Sequence, residues 1–324
     1  MSFPNSHTAV TEGPSAGDHV IGIDLGGSYV RAVLCDLDAR EVSRATEPTP
    51  VTDAATVIAT IAGLAQAVAE HGDIDFGRVA AVGVGVPAVA DPGDGSLRLA
   101  PNLPSFGDRD VVAALRQQLG RPVALANDVN MATLAEHRRG LAVGIADFVF
   151  IAVGTGVGMG LVSGGRLQYG ATGAAGEIGT LPVGLDPTRP GSGHLVLEEI
   201  AGGAGLARRY AQRTGTDVAG AGALDLYAAA AGGDADALAL VDEQAVALAL
   251  AVATVQSVLD PALVVFGGGL GSRADVVERV RDRLRDLSSH PLPLEASALG
   301  ERAGLVGAAA LAVELVVDGG GGAG

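Results

Sequence analysis

Two glycine-rich turns, each between two apolar runs, give the clearest chemical signal in the sequence. The first turn lies between residues 20–25 and 30–34, and the second lies between residues 148–153 and 159–162. Such turns are ordinary hairpin signals, but their backbone N–H groups can also approach an anion closely, because glycine has no side chain. The residues that could contact a phosphate group in this way are Gly26, Gly27, Ser28, Gly154, Thr155 and Gly156.

Acidic and amide side chains stand where apolar runs end. Asp24 precedes the first turn, and a carboxylate there can hold Mg2+ directly or through water. Asn127 and Asp128 follow the apolar run 123–126 and precede a predicted helix over 131–139. Asp128 could cap that helix, or it could act as a general base that takes the proton of a hydroxyl group. We favour the general base, because glycine turns flank it on both sides in the sequence.

A third glycine turn follows the apolar run 262–266, and the segment Gly-Ala-Ala-Gly-Glu-Ile-Gly occupies 173–179. Taken in order, these motifs resemble the superfamily of sugar kinases and actin. Within it, the 173–179 segment and Asn-Asp-Val-Asn at 127–130 resemble the ROK family of bacterial sugar kinases and repressors, over about residues 20–315. The resemblance implies an α/β chain with the two-domain, actin-like ATPase (ribonuclease H-like) fold and a ligand cleft between the domains.

The resemblance also implies roles for individual residues. ATP would place its phosphates on the two glycine turns, Mg2+ would be held by Asp24, mostly through water, and Asp128 would be the catalytic base. The nucleoside would approach the third turn, although a strand-to-helix turn without a ligand has the same pattern. The implied contacts are Gly268 and Gly269 for the nucleoside, and Asn102, Asn127, Asp128, Glu177 and Glu198 for the sugar.

Two of the implied sugar contacts remain open to other interpretations. Asn102 lies in a loop rich in proline and glycine, where an asparagine often forms a turn. Glu199 competes with Glu198 for the same role, and either could be a solvated helix charge.

The chain departs from the family at its zinc motif. The family's glutamate-containing loop continues with a zinc-binding histidine, which also touches the sugar, and then with a cysteine cluster. Here Thr180 stands at the histidine position and no cysteine follows, so we expect no zinc site and a loop held by packing. The loss of one sugar contact leaves the sugar preference open.

Composition excludes several classes of function. The formal net charge of −16 argues against nucleic acid or an anionic membrane as a partner. All 21 basic residues are arginines, so no lysine can bind phosphate, act as a base or form a Schiff base. Cys35 is the only cysteine, lies in an apolar strand and is expected to be an inert thiol, which fits a reducing cytoplasm.

The chain is long enough for two domains. We predict a disordered lead-in over 1–18, a first domain made of 19–127 and 301–317, a second domain over 128–300 and a disordered tail over 318–324. We expect no signal peptide, and no apolar run long and charge-free enough to span a bilayer.

The leading hypothesis is ATP-dependent phosphorylation of the terminal (C6) hydroxyl of a hexose, with glucose as the simplest substrate. Thr180 and the missing zinc motif keep open an amino sugar such as kanosamine, glucosamine or N-acetylmannosamine as an alternative, and a free amino sugar is cationic and would suit an acidic pocket. A non-catalytic sugar-binding protein and a polyphosphate-dependent kinase are further alternatives. The short polar N-terminus and the acidic charge disfavour these two. Family resemblance also makes a homodimer possible.

Overall fold

The computed structural model describes residues 18–320, except for 27, 39, 51–52, 91–96, 99–109, 186–193, 216–221, 289, 291 and 301. The first part contains strands β1 (His19–Leu25), β2 (Tyr29–Asp36), β3 (Glu41–Pro48), β4 (Val79–Val86), β5 (Val89–Ala90), β6 (Leu97–Arg98) and β7 (Val123–Asn127), and helices α1 (Ala54–His71), α2 (Val111–Leu119) and α3 (Asp128–Arg139). The mixture of helices and mixed sheets confirms the α/β class.

The second part contains a further sheet and seven helices in the described residues. Its strands are β8 (Phe148–Val153), β9 (Val157–Ser163), β10 (Arg166–Leu167), β11 (Pro182–Leu185), β12 (His194–Val196), β13 (Val264–Gly267) and β14 (Leu294–Ala296). Its helices are α4 (Leu197–Ala201), α5 (Gly203–Thr214), α6 (Ala223–Ala231), α7 (Ala235–Leu259), α8 (Gly268–Gly271), α9 (Ala274–Leu287) and α10 (Arg302–Gly320).

The two large sheets have the same topology. Each has five strands, in the orders β3-β2-β1-β4-β7 and β10-β9-β8-β13-β14. In both, three strands connected by turns pair antiparallel, the first of them pairs parallel with a later strand, and that strand pairs parallel with another. The architecture is therefore repeated, although the sequence shows no repeat beyond its glycine turns. The parallel strands bring their carboxyl ends to one edge of each sheet, where ligands of open α/β sheets bind.

Acidic capping residues fix the starts of the helices α1 and α2. Asp53 accepts a hydrogen bond from the Thr56 N–H at 2.9 Å, and Asp110 caps α2 in the same way. Two boundaries differ from the sequence expectation. Helix α3 begins at Asp128 rather than at residue 131, and α10 continues to Gly320, into the segment expected to be a disordered tail.

Helices α3 and α10 pack against each other between the two sheets. Helix α10 covers β1 and β4 of the first sheet, and α3 contacts β8 and β9 of the second. The approach of α10 is very close, because a Cβ atom on Gly22 would lie 2.4 Å from the Ala309 nitrogen, and one on Gly83 would lie 2.1 Å from the Ala308 oxygen. The final helix thus packs on the N-terminal sheet, while the exact domain boundaries remain a prediction.

The expectation that no segment could span a membrane was wrong on length and composition. Within the described residues, α1 and α7 are both long and apolar enough. Both are core helices, with 50% and 56% of their most apolar windows buried. Helix α1 packs on β2 and β3, and α7 packs on α4, α6 and α9. A helix in the core of a globular domain has the same composition as a membrane span, so these two helices are weak evidence for a membrane.

The close packing of α10 predicts opposite effects for two glycine-to-alanine substitutions. Gly83→Ala should lower the free energy of unfolding by about 2–4 kcal/mol, because the new methyl group would overlap the α10 backbone. Gly63→Ala is the matched control: it lies on the exposed face of α1 with nothing within 4 Å of an added Cβ, and should raise stability by about 0.5–1 kcal/mol. Urea unfolding measures both, and equal effects would contradict this packing.

Candidate active site

The carboxyl ends of β1, β7 and β13 meet at a cavity of about 590 Å3. Asp24 is the penultimate residue of the strand β1, Asp128 follows β7, and Gly268 and Gly269 follow β13. The cavity therefore brings together the acid that precedes the first glycine turn, the Asn127-Asp128 segment and the third glycine turn, whereas its described lining includes no residue of the second glycine turn. The lining includes Asp24, Arg31, Asp128, Phe150, Gly268, Gly269, Ser272, Ser297 and Gly304.

Asp24 is held on one side by a cation and on the other by a helix backbone. Its Oδ2 lies 3.6 Å from the Arg31 guanidinium, because the β1–β2 register places these residues opposite each other. A Cβ on Gly304 would lie 2.8 Å from the carboxyl group, so only glycine fits there. Burial raises the pKa of Asp24 above its usual value, Arg31 opposes this shift and the charge of Asp128 adds to it.

Asn127, and not Asp128, caps helix α3. The Asn127 Oδ1 accepts a hydrogen bond from the Asn130 N–H at 2.7 Å, so its Nδ2 is the group that could donate to a ligand. The Asp128 side chain accepts a hydrogen bond from the N–H of its neighbour Val129, at 2.9 Å, and is exposed to solvent. The surrounding protein removes part of its hydration and raises the pKa of its carboxyl group. The capping interpretation of Asp128 is therefore not supported.

Glu177 and Glu198 extend the acidic group around Asp128. Partial burial raises the pKa of Glu177, and the charges of Asp128 and Glu198 raise it further, so Glu177 lies close enough to both carboxylates to be repelled by them. The two neighbouring glutamates differ in their contacts. Glu198 accepts the Val157 N–H of the second glycine turn at 3.1 Å, while Glu199 accepts the Val196 N–H at 3.3 Å, at the start of α4. This geometry favours Glu198 over Glu199 as a ligand-facing residue.

The second glycine turn has amides available for an anion. The Gly154 N–H donates to the Gly156 carbonyl at 3.0 Å, which closes the turn. Among the described residues, none accepts a hydrogen bond from the Thr155 or Gly156 amide. Thr155 is exposed, so its hydroxyl and these two N–H groups can contact a phosphate.

The first and third turns are less alike than their sequences suggest. In the first, the Gly26 N–H donates to the Tyr29 carbonyl at 3.0 Å and Ser28 is exposed, whereas Gly27 lies outside the described residues. In the third, Gly268 has a φ of +80° and a Cβ there would lie 2.6 Å from the Val153 oxygen. Nothing lies within 4 Å of a Cβ position on Gly269, so a ligand can approach its backbone.

Thr180, at the position where the resemblance implies a histidine, closes a turn. The Thr180 hydroxyl donates to the Glu177 carbonyl at 2.9 Å, at the end of the loop that bears Glu177. In the part of the chain that the structure describes, no group of three or more His, Cys, Asp or Glu side chains could hold a metal. Residues 186–193 and Asn102 lie outside the described residues, so the roles predicted there remain predictions.

Several lining residues were missed from the sequence. Arg31 could have been found from the hairpin register, since a turn at 26–28 places it opposite Asp24. Ser272, Ser297 and Gly304 gave no such signal, because they reach the cavity through the packing of three separate elements, α8, β14 and α10. Cys35 is buried and its pKa is raised to about 12, mainly by burial, which fits an unreactive thiol.

Comparison with known proteins identifies the family. The model of the ROK family matches residues 20–314. A glucokinase of Streptomyces coelicolor is 29% identical over 91% of this chain and 97% of that protein. A ROK hexokinase structure from Thermus thermophilus has a TM-score of 0.84 and 32% identity, over 93% of this chain and 99% of the other. A ROK glucokinase from Streptomyces griseus, in complex with glucose and AMPPNP, has a TM-score of 0.69 and 29% identity, over 91% and 99%.

These matches extend over nearly the whole chain and confirm the two-domain, actin-like ATPase fold. The chain belongs to the ROK family, in which it is an ATP-dependent sugar kinase.

Proposed function

We propose that this kinase transfers the γ-phosphoryl group of ATP to the C6 hydroxyl of a hexose, and that glucose is the first candidate. The observation on which the proposal depends is the position of Asp128. Its carboxylate stands at the start of α3, faces the cavity, is not used as the helix cap and has a raised pKa.

Asp128 is proposed as the general base. It would orient the sugar hydroxyl and accept its proton as the new O–P bond forms, while ADP leaves with the electron pair of the broken bond. A raised pKa suits this role, because a more basic carboxylate accepts a proton more readily.

The phosphates and Mg2+ are proposed to bind between the turns. Burial raises the pKa of Asp24, Arg31 opposes this shift and the charge of Asp128 adds to it, so a divalent cation near the two carboxylates would relieve their repulsion. One or two carboxylates, with water and phosphate oxygens, form the usual ligand set of Mg2+. Gly26, Gly27, Ser28, Gly154, Thr155 and Gly156 are proposed for the phosphates, and Gly268 and Gly269 for the nucleoside.

The sugar is proposed to bind against the acidic group. Asn102, Asn127, Glu177 and Glu198 are its proposed hydroxyl contacts, and a site of this kind rejects analogues that lack the hydroxyl. The clustering of Glu177, Glu198 and Asp128 also favours the second candidate, a cationic amino sugar. A homodimer, a cytoplasmic location and the lack of nucleic-acid or membrane partners remain predictions.

A sugar panel tests the proposal directly. ADP release would be measured with Mg-ATP and glucose, mannose, N-acetylmannosamine, glucosamine or kanosamine, with water alone as the blank. We expect glucose to give the highest kcat/KM. A preference for the free amino sugars would replace glucose by the second candidate, whereas sugar-dependent thermal stabilisation without ADP release would indicate a binding protein.

Asp128→Asn should separate catalysis from folding. We expect kcat to fall by about 10²–10⁴-fold, because the amide cannot accept the proton. The free energy of unfolding at neutral pH should rise, because the raised pKa shows that the charged form is disfavoured in the folded state. The matched control is Asp110→Asn, which caps α2 and should change neither quantity much. A loss of stability without a loss of kcat would contradict the proposed role.

The pH dependence follows from the same shift. The base must be ionised, so kcat/KM should fall as the pH is lowered through the raised pKa of Asp128, above the range of an ordinary aspartate. Stability should change in the opposite sense, since protonating a carboxyl group with a raised folded-state pKa favours the folded state. Rate profiles and thermal melts over the acidic range measure both, and a rate that stays constant down to the ordinary aspartate pKa would argue against Asp128.

A further inference from the structure

The carboxylate of Glu198 lies on the second glycine turn. Its Oε2 accepts the Val157 N–H at 3.1 Å, and a Cβ on Gly156 would lie 2.2 Å from the same oxygen. Glycine at 156 is therefore needed for the carboxylate to reach the turn, in addition to any contact with a phosphate. An acidic side chain occupies one N–H group of the turn proposed for an anion.

The backbone around Glu198 is fixed to the same turn. The Gly203 N–H donates to the Gly154 carbonyl at 2.8 Å, and the Ala204 N–H donates to the Thr155 carbonyl at 3.0 Å. A Cβ on Gly202 would lie 3.0 Å from the Thr155 oxygen, so this junction of α4 and α5 packs directly on the turn. Because these hydrogen bonds hold the end of α4 on the turn, Glu198 can leave the turn only by a change in its side-chain conformation.

The charge of Glu198 adds to that of the neighbouring acids. Glu177 is affected by both Asp128 and Glu198, so the region beside the turn is negative. A nucleotide phosphate on the turn would meet this charge at close range, where repulsion between like charges is strong. In the described part of the chain, no arginine forms an ion pair with Glu198.

We propose that Glu198 weakens nucleotide binding at the 154–157 turn until a sugar binds its carboxylate. This inference rests on the proposed function. Sugar hydroxyls that donate to the carboxylate would spread its charge and draw it from Val157, whose N–H would then be available to a phosphate. Nucleotide binding would depend on sugar, and a bound ATP would rarely meet water in place of the sugar hydroxyl.

Glu198→Gln tests this inference, because it removes the charge and keeps an oxygen that can accept the Val157 N–H. Calorimetry with Mg2+ and a non-hydrolysable ATP analogue, without sugar, should show about tenfold tighter binding to the variant than to the wild type. With saturating glucose, the wild type should gain affinity for the analogue, and the variant should gain less. ADP release without sugar should increase in the variant.

Glu199→Gln is the matched control, because Glu199 contacts the Val196 N–H at the start of α4 and not the turn. It should bind the analogue as the wild type does, and thermal melts would verify that both variants fold. Analogue binding that is equal in the wild type and Glu198→Gln would overturn the inference even if sugar turnover supports the proposed function. Because this measurement needs no turnover, a failure of the sugar panel alone would overturn the proposed function and not the charge effect.

Discussion

The whole site depends on the contact between helices α3 and α10. A Cβ on Gly307 would lie 1.9 Å from the Met131 oxygen, so the two backbones approach as closely as the chain permits. Since α10 covers the first sheet and α3 contacts the second, this contact fixes the two halves of the cleft relative to each other. It also fixes the site residues, because α3 begins at Asp128 and the first turns of α10 place Gly304 beside Asp24.

The carboxylates of the cleft reduce the stability of the folded protein. The pKa values of Asp24, Asp128 and Glu177 are all raised, mainly by burial, so their charged forms are less favourable in the folded protein than in water. Arg31 offsets this for Asp24 alone. Ligands that bring hydroxyl donors or a divalent cation would stabilise the charged forms of these carboxylates. Substrate binding and folding stability are thus linked through the same carboxylates.

The sequence could predict the elements whose signals are local. Buried strands such as β4 and the long helix α7 follow from their apolar patterns. The capping residues Asp53 and Asp110 mark the starts of α1 and α2. It could not predict features that arise from packing between distant segments. The start of α3 depends on the choice of Asn127 as the cap, and α1 and α7 have membrane-like composition because they lie in the core. Gly304 has no local signal at all, because its constraint comes from Asp24 at the other end of the chain.

The glycines of the three turns are required for different physical reasons. Gly268 has a positive φ and lies against the Val153 oxygen, so the backbone of the second sheet leaves no room for a side chain at this position. Gly269 has open space beside it, so only a ligand could exclude a side chain there. Gly156 is required by the carboxylate of Glu198, which comes from the distant helix α4. Glycines in turns of similar sequence are thus required by backbone packing, by ligand access or by contact with an acidic side chain. The contact with the acidic side chain places Glu198, a proposed sugar ligand, directly on the proposed phosphate-binding turn.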